Sequence, residues 1–222
     1  NGGGATASVS AAENQTAVTD VNATDGDGNT LTYSISGGAD QSQFSIVSST
    51  GVLTFSSEPD FETPTDMDTN NAYLVEVTVS DGSLSDSQTI TVTVTDANDP
   101  AAITSLDGNA SSSVSAAENQ TAVIDVNATD ADGDTLTYSI SGGADQALFA
   151  IDGGTGVLTF VSAPNWEANA SAAGNNDYLV DVTVTDAGAG ALTDLQAITV
   201  TVTDVNDAPV ITTLDGNSTS YV

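Results

Sequence analysis

The sequence predicts an all-β chain of two tandem Greek-key β-sandwiches, and three observations predict it. Apolar and polar residues alternate with period two along much of the chain, as in half-buried antiparallel strands. Gly and Asp pairs interrupt these runs at turn-like positions. One sequence unit occurs twice, and no segment of useful length carries a helical period.

The first copy starts at Ser8 and reads SVSAAENQTAVTDVNATDGDGNTLTYSISGGADQ. The second starts at Ser113 and reads SVSAAENQTAVIDVNATDADGDTLTYSISGGADQ, an offset of 105 residues. Glu13 therefore matches Glu118, Asp25 matches Asp130, Tyr33 matches Tyr138 and Phe44 matches Phe149. Three extra residues in the second copy, within AGAGALTD, bring Asp96 opposite Asp204. A period of roughly 100 residues is a whole domain, not a solenoid turn.

Within each copy the elements follow in order. Thr30–Ser36 alternates, as do Tyr73–Val79 and Thr89–Thr95, all rich in Val, Thr, Ile and Tyr. Gly37-Gly38, Thr50-Gly51 and Asp81-Gly82 read as the turns between strands. About seven strands per unit fit an immunoglobulin-like sandwich, with the two domains in a linear array. The domains are expected at 1–99, which lacks its first strand, and 100–207. Residues 208–222 read as the first strand of a following repeat. The linker Asp99-Pro100-Ala101-Ala102-Ile103-Thr104-Ser105 precedes the second copy, whereas only Asn1-Gly2-Gly3-Gly4 opens the first. Ala208–Thr213 carries the equivalent as surplus, so the surplus fits the deficit. Two arrangements explain that match: a slice of a longer array, or donation of the C-terminal strand to a neighbouring subunit.

Composition narrows the chemistry. The chain has no Lys, Arg, His or Cys, and its 31 Asp and Glu give a formal charge of -31. No Ser-His-Asp or Cys-His arrangement is possible. Neither is a zinc site of nitrogen and sulfur ligands, a Schiff-base lysine or a Walker loop. Nucleic acid and anionic membranes are repelled. Carboxylate-only glycoside hydrolysis is the one enzymatic option left, and acids that map to linker motifs give it little room. No apolar run is long enough to span a bilayer, and no signal peptide is present, so an internal piece of a larger protein is expected. With no cation to pair with, clustered acids need solvent, protons or a bound metal ion. Oxygen-only ligation favours Ca²⁺.

The acids recur in four motifs. Ala-Glu-Asn supplies Glu13 and Glu118. Ala-Thr-Asp-x-Asp-Gly supplies Asp25 and Asp27, then Asp130 and Asp132 with a further Asp134. Pro-Asp-Phe-Glu supplies Asp60 and Glu62, and becomes Pro-Asn-Trp-Glu with Asn165 and Glu167. Asp-x-Asn-Asp supplies Asp96, Asn98 and Asp99, then Asp204, Asn206 and Asp207. Asp81 and Asp186 each follow a long Val/Thr strand.

In this order, twice, at domain spacing, the set resembles the cadherin repeat in the form found in large bacterial surface proteins. The resemblance covers essentially the whole chain. It implies Ca²⁺ at the junction of consecutive repeats, about three ions each, with ligands from both sides. Carried over by motif, the central junction would use Glu13, Asp60, Glu62, Asp96, Asn98 and Asp99 with Asp130, Asp132 and Asp186. Asp25, Asp27 and Asp81 would serve an N-terminal junction. Glu118, Glu167, Asp204, Asn206 and Asp207 would serve a C-terminal one, and Asn165 in place of Asp implies weaker binding or fewer ions there.

The resemblance further implies an extracellular, cell-surface protein acting in adhesion, surface attachment or biofilm matrix, with Ca²⁺ and flanking repeats or other copies as partners. A filament subunit joined head to tail by strand donation and a carbohydrate-binding module facing surface polysaccharide are the alternatives. Isolated Asp-Gly and Asn-Asp pairs are explained by turn chemistry alone. An EF-hand fails, because Thr135 and Ser141 stand at the sixth and twelfth positions counted from Asp130, where Gly and Glu are needed. Phe61 and Trp166 are expected to be core or packing residues rather than a sugar-binding platform. Asn-x-Ser/Thr triplets at Asn14, Asn22, Asn109 and Asn169 establish no glycosylation.

Overall fold

Alternation decides which face of each strand is buried. In the strand Ala72–Ser80, Tyr73, Val75 and Val77 are buried while Leu74 faces outward. The computed structural model describes residues 4–210. The chain divides into two units, Asn1–Asn98 and Asp99–Val222.

The first unit contains β1 (Thr6–Ala12), β2 (Ala17–Asp20), β3 (Thr32–Gly37), β4 (Phe44–Ile46), β5 (Val52–Phe55), β6 (Ala72–Ser80) and β7 (Ser85–Thr95). They form two sheets, ordered β1-β7-β6-β3 and β2-β5-β4, and the chain crosses between them in Greek-key fashion. β1 runs parallel to β7, and the other pairs are antiparallel. Leu53, Val75, Ile90 and Val92 are fully buried between the sheets. Phe44 and Phe55 stack at 4.8 Å, with Tyr73 edge-on to both.

The second unit repeats this plan with β9 (Ser111–Ala117), β10 (Ala122–Asp125), β12 (Thr137–Gly142), β13 (Phe149–Ile151), β14 (Val157–Phe160), β15 (Asp177–Thr185) and β16 (Thr193–Thr203). The sheets are β12-β15-β16-β9 and β10-β14-β13. Two short strands are additional: β8 (Ala102–Ile103) pairs antiparallel with β11 (Ala128–Thr129). The expected seven or so strands thus become nine among the described residues of this unit. Among the described residues no strand pairs with Ala23–Thr24, the counterpart of β11 in the first unit. The surplus strand expected at Pro209–Thr213 lies outside the described residues from 211 onward. No helix among the described residues is long and apolar enough to cross a membrane; only short 3-10 turns occur.

One glycine fixes the end of β2. Gly51 has φ +76°, and a Cβ there would stand 2.2 Å from the Val21 carbonyl. Its own carbonyl accepts the Val21 N–H at 2.9 Å. Gly156 holds Val126 in the same way.

Candidate metal centre

The sequence contains no cation for its buried acids, so backbone N–H groups do that work. Asp40, almost wholly buried, accepts the Met67 and Leu74 N–H groups at 2.7 and 2.8 Å. Asp145 does the same with Ala172 and Leu179 at 2.6 and 2.9 Å. These bonds anchor the long loop before β6 or β15, the loop that carries Asp60 and Glu62 or Asn165 and Glu167.

Glu13 sits just after β1 and is also buried. Its Oε2 accepts the Phe61 N–H at 2.6 Å and its Oε1 the Ala97 N–H at 2.8 Å. Its own N–H donates to the Thr95 carbonyl at 3.1 Å. One carboxylate thereby ties the end of β1 to the 59–62 loop and to the exit of β7. The carboxylates of Glu13, Asp60 and Glu62 come within 4.8 Å of one another. Two oxygens on one Ca²⁺ at about 2.4 Å are at most about 4.8 Å apart, so this spacing suits a shared ion. Each engaged Glu13 oxygen retains a lone pair for a metal. Asp60 also caps its own loop, accepting the Thr63 N–H and hydroxyl at 2.7 and 2.8 Å. Asp96 and Asn98 lie on the strand exit that Glu13 holds.

The second unit builds the same end. Glu118 accepts the Trp166 and Val205 N–H groups at 2.8 and 2.9 Å. These two bonds hold its carboxyl below the usual glutamate value, and a bond from Asp204 adds to the effect. Glu118, Glu167 and Asp207 come within 4.8 Å of one another here, with Asp207 at the position of Asp99 and Asn165 at that of Asp60. Asn119 donates to Asp207 Oδ1 at 3.1 Å, and Asn206 Nδ2 to the Asp207 carbonyl at 3.3 Å. Asn165 keeps the turn cap, accepting the Ala168 N–H at 2.7 Å.

At the opposite end of the second unit lie Asp130, Asp132 and Asp134, again within 4.8 Å of one another. Asp130 Oδ1 accepts the Asp134 N–H at 3.0 Å, and Asp132 Oδ2 the Asp99 N–H at 2.7 Å. Asp130 Oδ2 and Asp132 Oδ1 are buried with no hydrogen-bond partner. A buried anionic oxygen with nothing to bind costs several kcal/mol, to order of magnitude. Burial, followed by the charges of Asp130, Asp132 and Asp186, pushes the Asp134 carboxyl up. A hard cation removes all of these penalties together, so the donor set fits Ca²⁺. Asp186 is buried and accepts the Gly188 N–H at 3.0 Å.

The first unit's counterpart is looser. Asp25 Oδ1 takes the Asp27 and Asn29 N–H groups, both at 2.9 Å. Asp81 takes those of Ser83 and Leu84, both at 2.7 Å, which hold its carboxyl low. Asp134 was not among the expected ligands. Its signal was visible in the repeat, where it replaces Asn29 beside the Asp-x-Asp pair. Of the two residues expected to be core or packing, Phe61 packs half-buried on the first core, whereas Trp166 is 40% exposed and lies outside the buried core. The Trp166 backbone is what the fold holds, its N–H on Glu118 and its carbonyl on Asn176.

Residues 6–95 match the model of the cadherin domain family. Human protocadherin-24 EC1-2 is 22% identical, with a TM-score of 0.52 over 90% of this chain and 95% of that one. Drosophila N-cadherin EC1-4 is 21% identical, with a TM-score of 0.51 over 90% of this chain and 48% of that one. A search of curated proteins finds no match. At these identities the structures speak for the fold. Cadherin-like domains are non-enzymatic, extracellular adhesion-type domains that typically bind Ca²⁺ and often self-associate. The first repeat thus matches the cadherin domain family model, and with its second copy the chain has the fold of tandem cadherin-like repeats.

Proposed function

We propose that the chain is part of a bacterial cell-surface adhesin or biofilm-matrix protein whose repeats are tied end to end by Ca²⁺. The repeats are 1–99 and 100–207, with 208–222 beginning the next. Ions held by Glu13, Asp60, Glu62, Asp96, Asn98 and Asp99 are shared with Asp130, Asp132 and Asp186. Asp134 completes the downstream set. Asp25, Asp27 and Asp81 face a preceding repeat, and Glu118, Glu167, Asp204, Asn206 and Asp207 a following one.

The observation that carries this is the pair of buried, partnerless oxygens on Asp130 and Asp132 in a protein without one basic side chain. Without an ion, the clustered carboxylates repel one another and the linker is free. With ions bridging them, the linker is clamped, so calcium sets reach and stiffness. Affinity is expected in the range of extracellular modules, roughly 10⁻⁴–10⁻³ M.

Calorimetry and small-angle scattering test it. Ca²⁺ is expected to bind, to extend and stiffen the chain, and to protect 96–102 from proteolysis; chelator reverses all three. Asp132→Ala is expected to weaken binding with both sandwiches still folded. A scattering profile unchanged by chelator, or an unchanged affinity in Asp132→Ala, defeats the proposal.

A further inference from the structure

In the second unit, β8 fills a groove beside the main sheet. Ala101 and Ile103 are 2% and 4% exposed, in one core with the fully buried Val126, Val182 and Val184. The Ile103 N–H donates to Asp194 Oδ2 at 2.9 Å. The Asn127 carbonyl accepts the Thr104 and Ser105 N–H groups at 2.8 and 3.2 Å. Gln196 Nε2 donates to the Ser105 and Asn109 carbonyls at 3.1 and 2.8 Å.

The first unit presents the same receptor. By the repeat, Val21, Ala23, Val77, Val79, Asp86 and Gln88 correspond to Val126, Ala128, Val182, Val184, Asp194 and Gln196. Here they line an open cavity of about 90 Å³. Val79 is only half-buried where Val184 is sealed. Asp86 Oδ1 accepts the Ser87 N–H at 2.9 Å, as Asp194 Oδ1 accepts that of Leu195 at 2.8 Å. Asp86 Oδ2 accepts nothing among the described residues. Gln88 makes one of its counterpart's two bonds, to the Gly4 carbonyl at 2.6 Å. Asn22, Ala23 and Thr24 follow β2 as irregular backbone with no strand beside them among the described residues, the Ala23 N–H donating to the Tyr33 hydroxyl at 3.1 Å, whereas Ala128–Thr129, the counterparts of Ala23 and Thr24, form β11 against β8.

The sequence contains a second copy of the segment that fills this groove. Residues 207–217 read Asp-Ala-Pro-Val-Ile-Thr-Thr-Leu-Asp-Gly-Asn, against Asp-Pro-Ala-Ala-Ile-Thr-Ser-Leu-Asp-Gly-Asn at 99–109. Ile211 stands at the position of the buried Ile103, and Thr212 at that of Thr104. Pro209 falls at Ala101, one residue ahead of β8, where a missing N–H interrupts no ladder. We propose that the groove of the first unit accepts residues 208–214 of a second copy of this chain as an added strand. Main-chain pairing along Ala23–Thr24 supplies affinity, and the pocket for Ile211, with Asp86 as acceptor for its N–H, supplies register. Copies of residues 1–222 would thereby join head to tail, because the contact is heterologous.

The test uses the 222-residue chain in chelator, so its outcome is independent of the calcium proposal. The Ile211→Asp chain, with its own strand disabled, is mixed with a labelled peptide of residues 207–218. Saturable binding is expected, with new hydrogen-exchange protection at 22–24. An Ile211→Asp peptide is expected to bind at least about tenfold more weakly, as is the wild-type peptide to a chain carrying Asp86→Ala as well. The wild-type chain should sediment as concentration-dependent oligomers that excess peptide dissociates. No peptide binding, protection elsewhere, indifference to Asp86→Ala, or a wild-type chain still monomeric at concentrations that saturate with peptide each overturn it.

Discussion

The two units share strand order, core aromatics and acid-binding loops, yet differ at one edge. Where β8 lies on the second unit, Val184 and Gln196 are sealed and Asp186 is buried. Where no described strand lies on the first, Val79, Gln88 and Asp81 remain partly open. Both the hydrophobic edge and the acid beside it thus depend on a segment from before the repeat itself. A cadherin-like repeat here is a sandwich whose last piece of core arrives through the linker. The same linker carries Asp96, Asn98 and Asp99, so the proposed metal ligands and the segment that completes the core are adjacent in sequence.

The largest effect that tests this contrast is expected from Ile103→Ala. Losing a buried Ile and leaving a cavity costs about 2–4 kcal/mol. Unit-resolved hydrogen exchange in chelator should show β15 and β16 losing that protection while β6 and β7 keep theirs. If β15 is indifferent, β8 contributes nothing to the second core and the contrast fails.

Next comes the carboxylate that binds the three segments at each unit's end. Glu118→Ala removes the acceptor for the Trp166 and Val205 N–H groups, as Glu13→Ala does for Phe61 and Ala97. Each variant should lower the melting temperature of its own unit in chelator, and Glu→Gln should recover part of the loss. Equal melting of wild type and both variants would make these glutamates metal ligands only, with no structural part.

A smaller effect, with a sign, is expected at Asp134. Its folded-state pKa is raised, first by burial and then by Asp130, Asp132 and Asp186. The folded chain then keeps a proton that the unfolded chain has lost. Stability of the second unit therefore falls as pH climbs from the usual aspartate value through the raised one, and stays lower above it. Asp134→Asn, which installs the residue of the first unit, should flatten that slope in chelator and weaken Ca²⁺ binding. A steeper slope, or unchanged calcium affinity, contradicts the assignment of Asp134 to the site.

Much of the fold was legible because strand periodicity is local. Tyr73, Val75 and Val77 alternate with outward residues, and the repeat itself located both copies of every acidic motif. What alternation cannot express is a strand of two residues: Ala102–Ile103 and Ala128–Thr129 are too short to carry a period. The link between β8 and its groove came instead from comparing surplus and deficit around the two copies. Nor does a motif state which atoms a carboxylate already holds. Glu13 was readable as an acid in a metal-binding pattern, but its grip on Phe61 and Ala97 is tertiary. Trp166 misled because apolarity predicts burial, whereas its loop is fixed through backbone bonds and the ring is left half outside.

The smallest effect on stability, and the most selective on binding, is expected from Asn165→Asp. Asn165 caps its turn through Oδ1, which accepts the Ala168 N–H just as Asp60 Oδ1 accepts that of Thr63. An aspartate keeps that bond, so melting in chelator should shift by no more than about 0.5 kcal/mol equivalent, as for an exposed substitution. The added charge lies beside the Glu118, Glu167 and Asp207 trio, and a hard cation gains a further anionic oxygen there. Ca²⁺ affinity at the C-terminal end should rise toward that of the central site once a following repeat is attached. The converse exchange, Asp60→Asn, should lower affinity at the central site while leaving the turn intact. Calorimetry on the pair decides between two roles for this position. Reciprocal changes make Asp60 a ligand and Asn165 a weakened one; stability changes without affinity changes reduce both to turn caps.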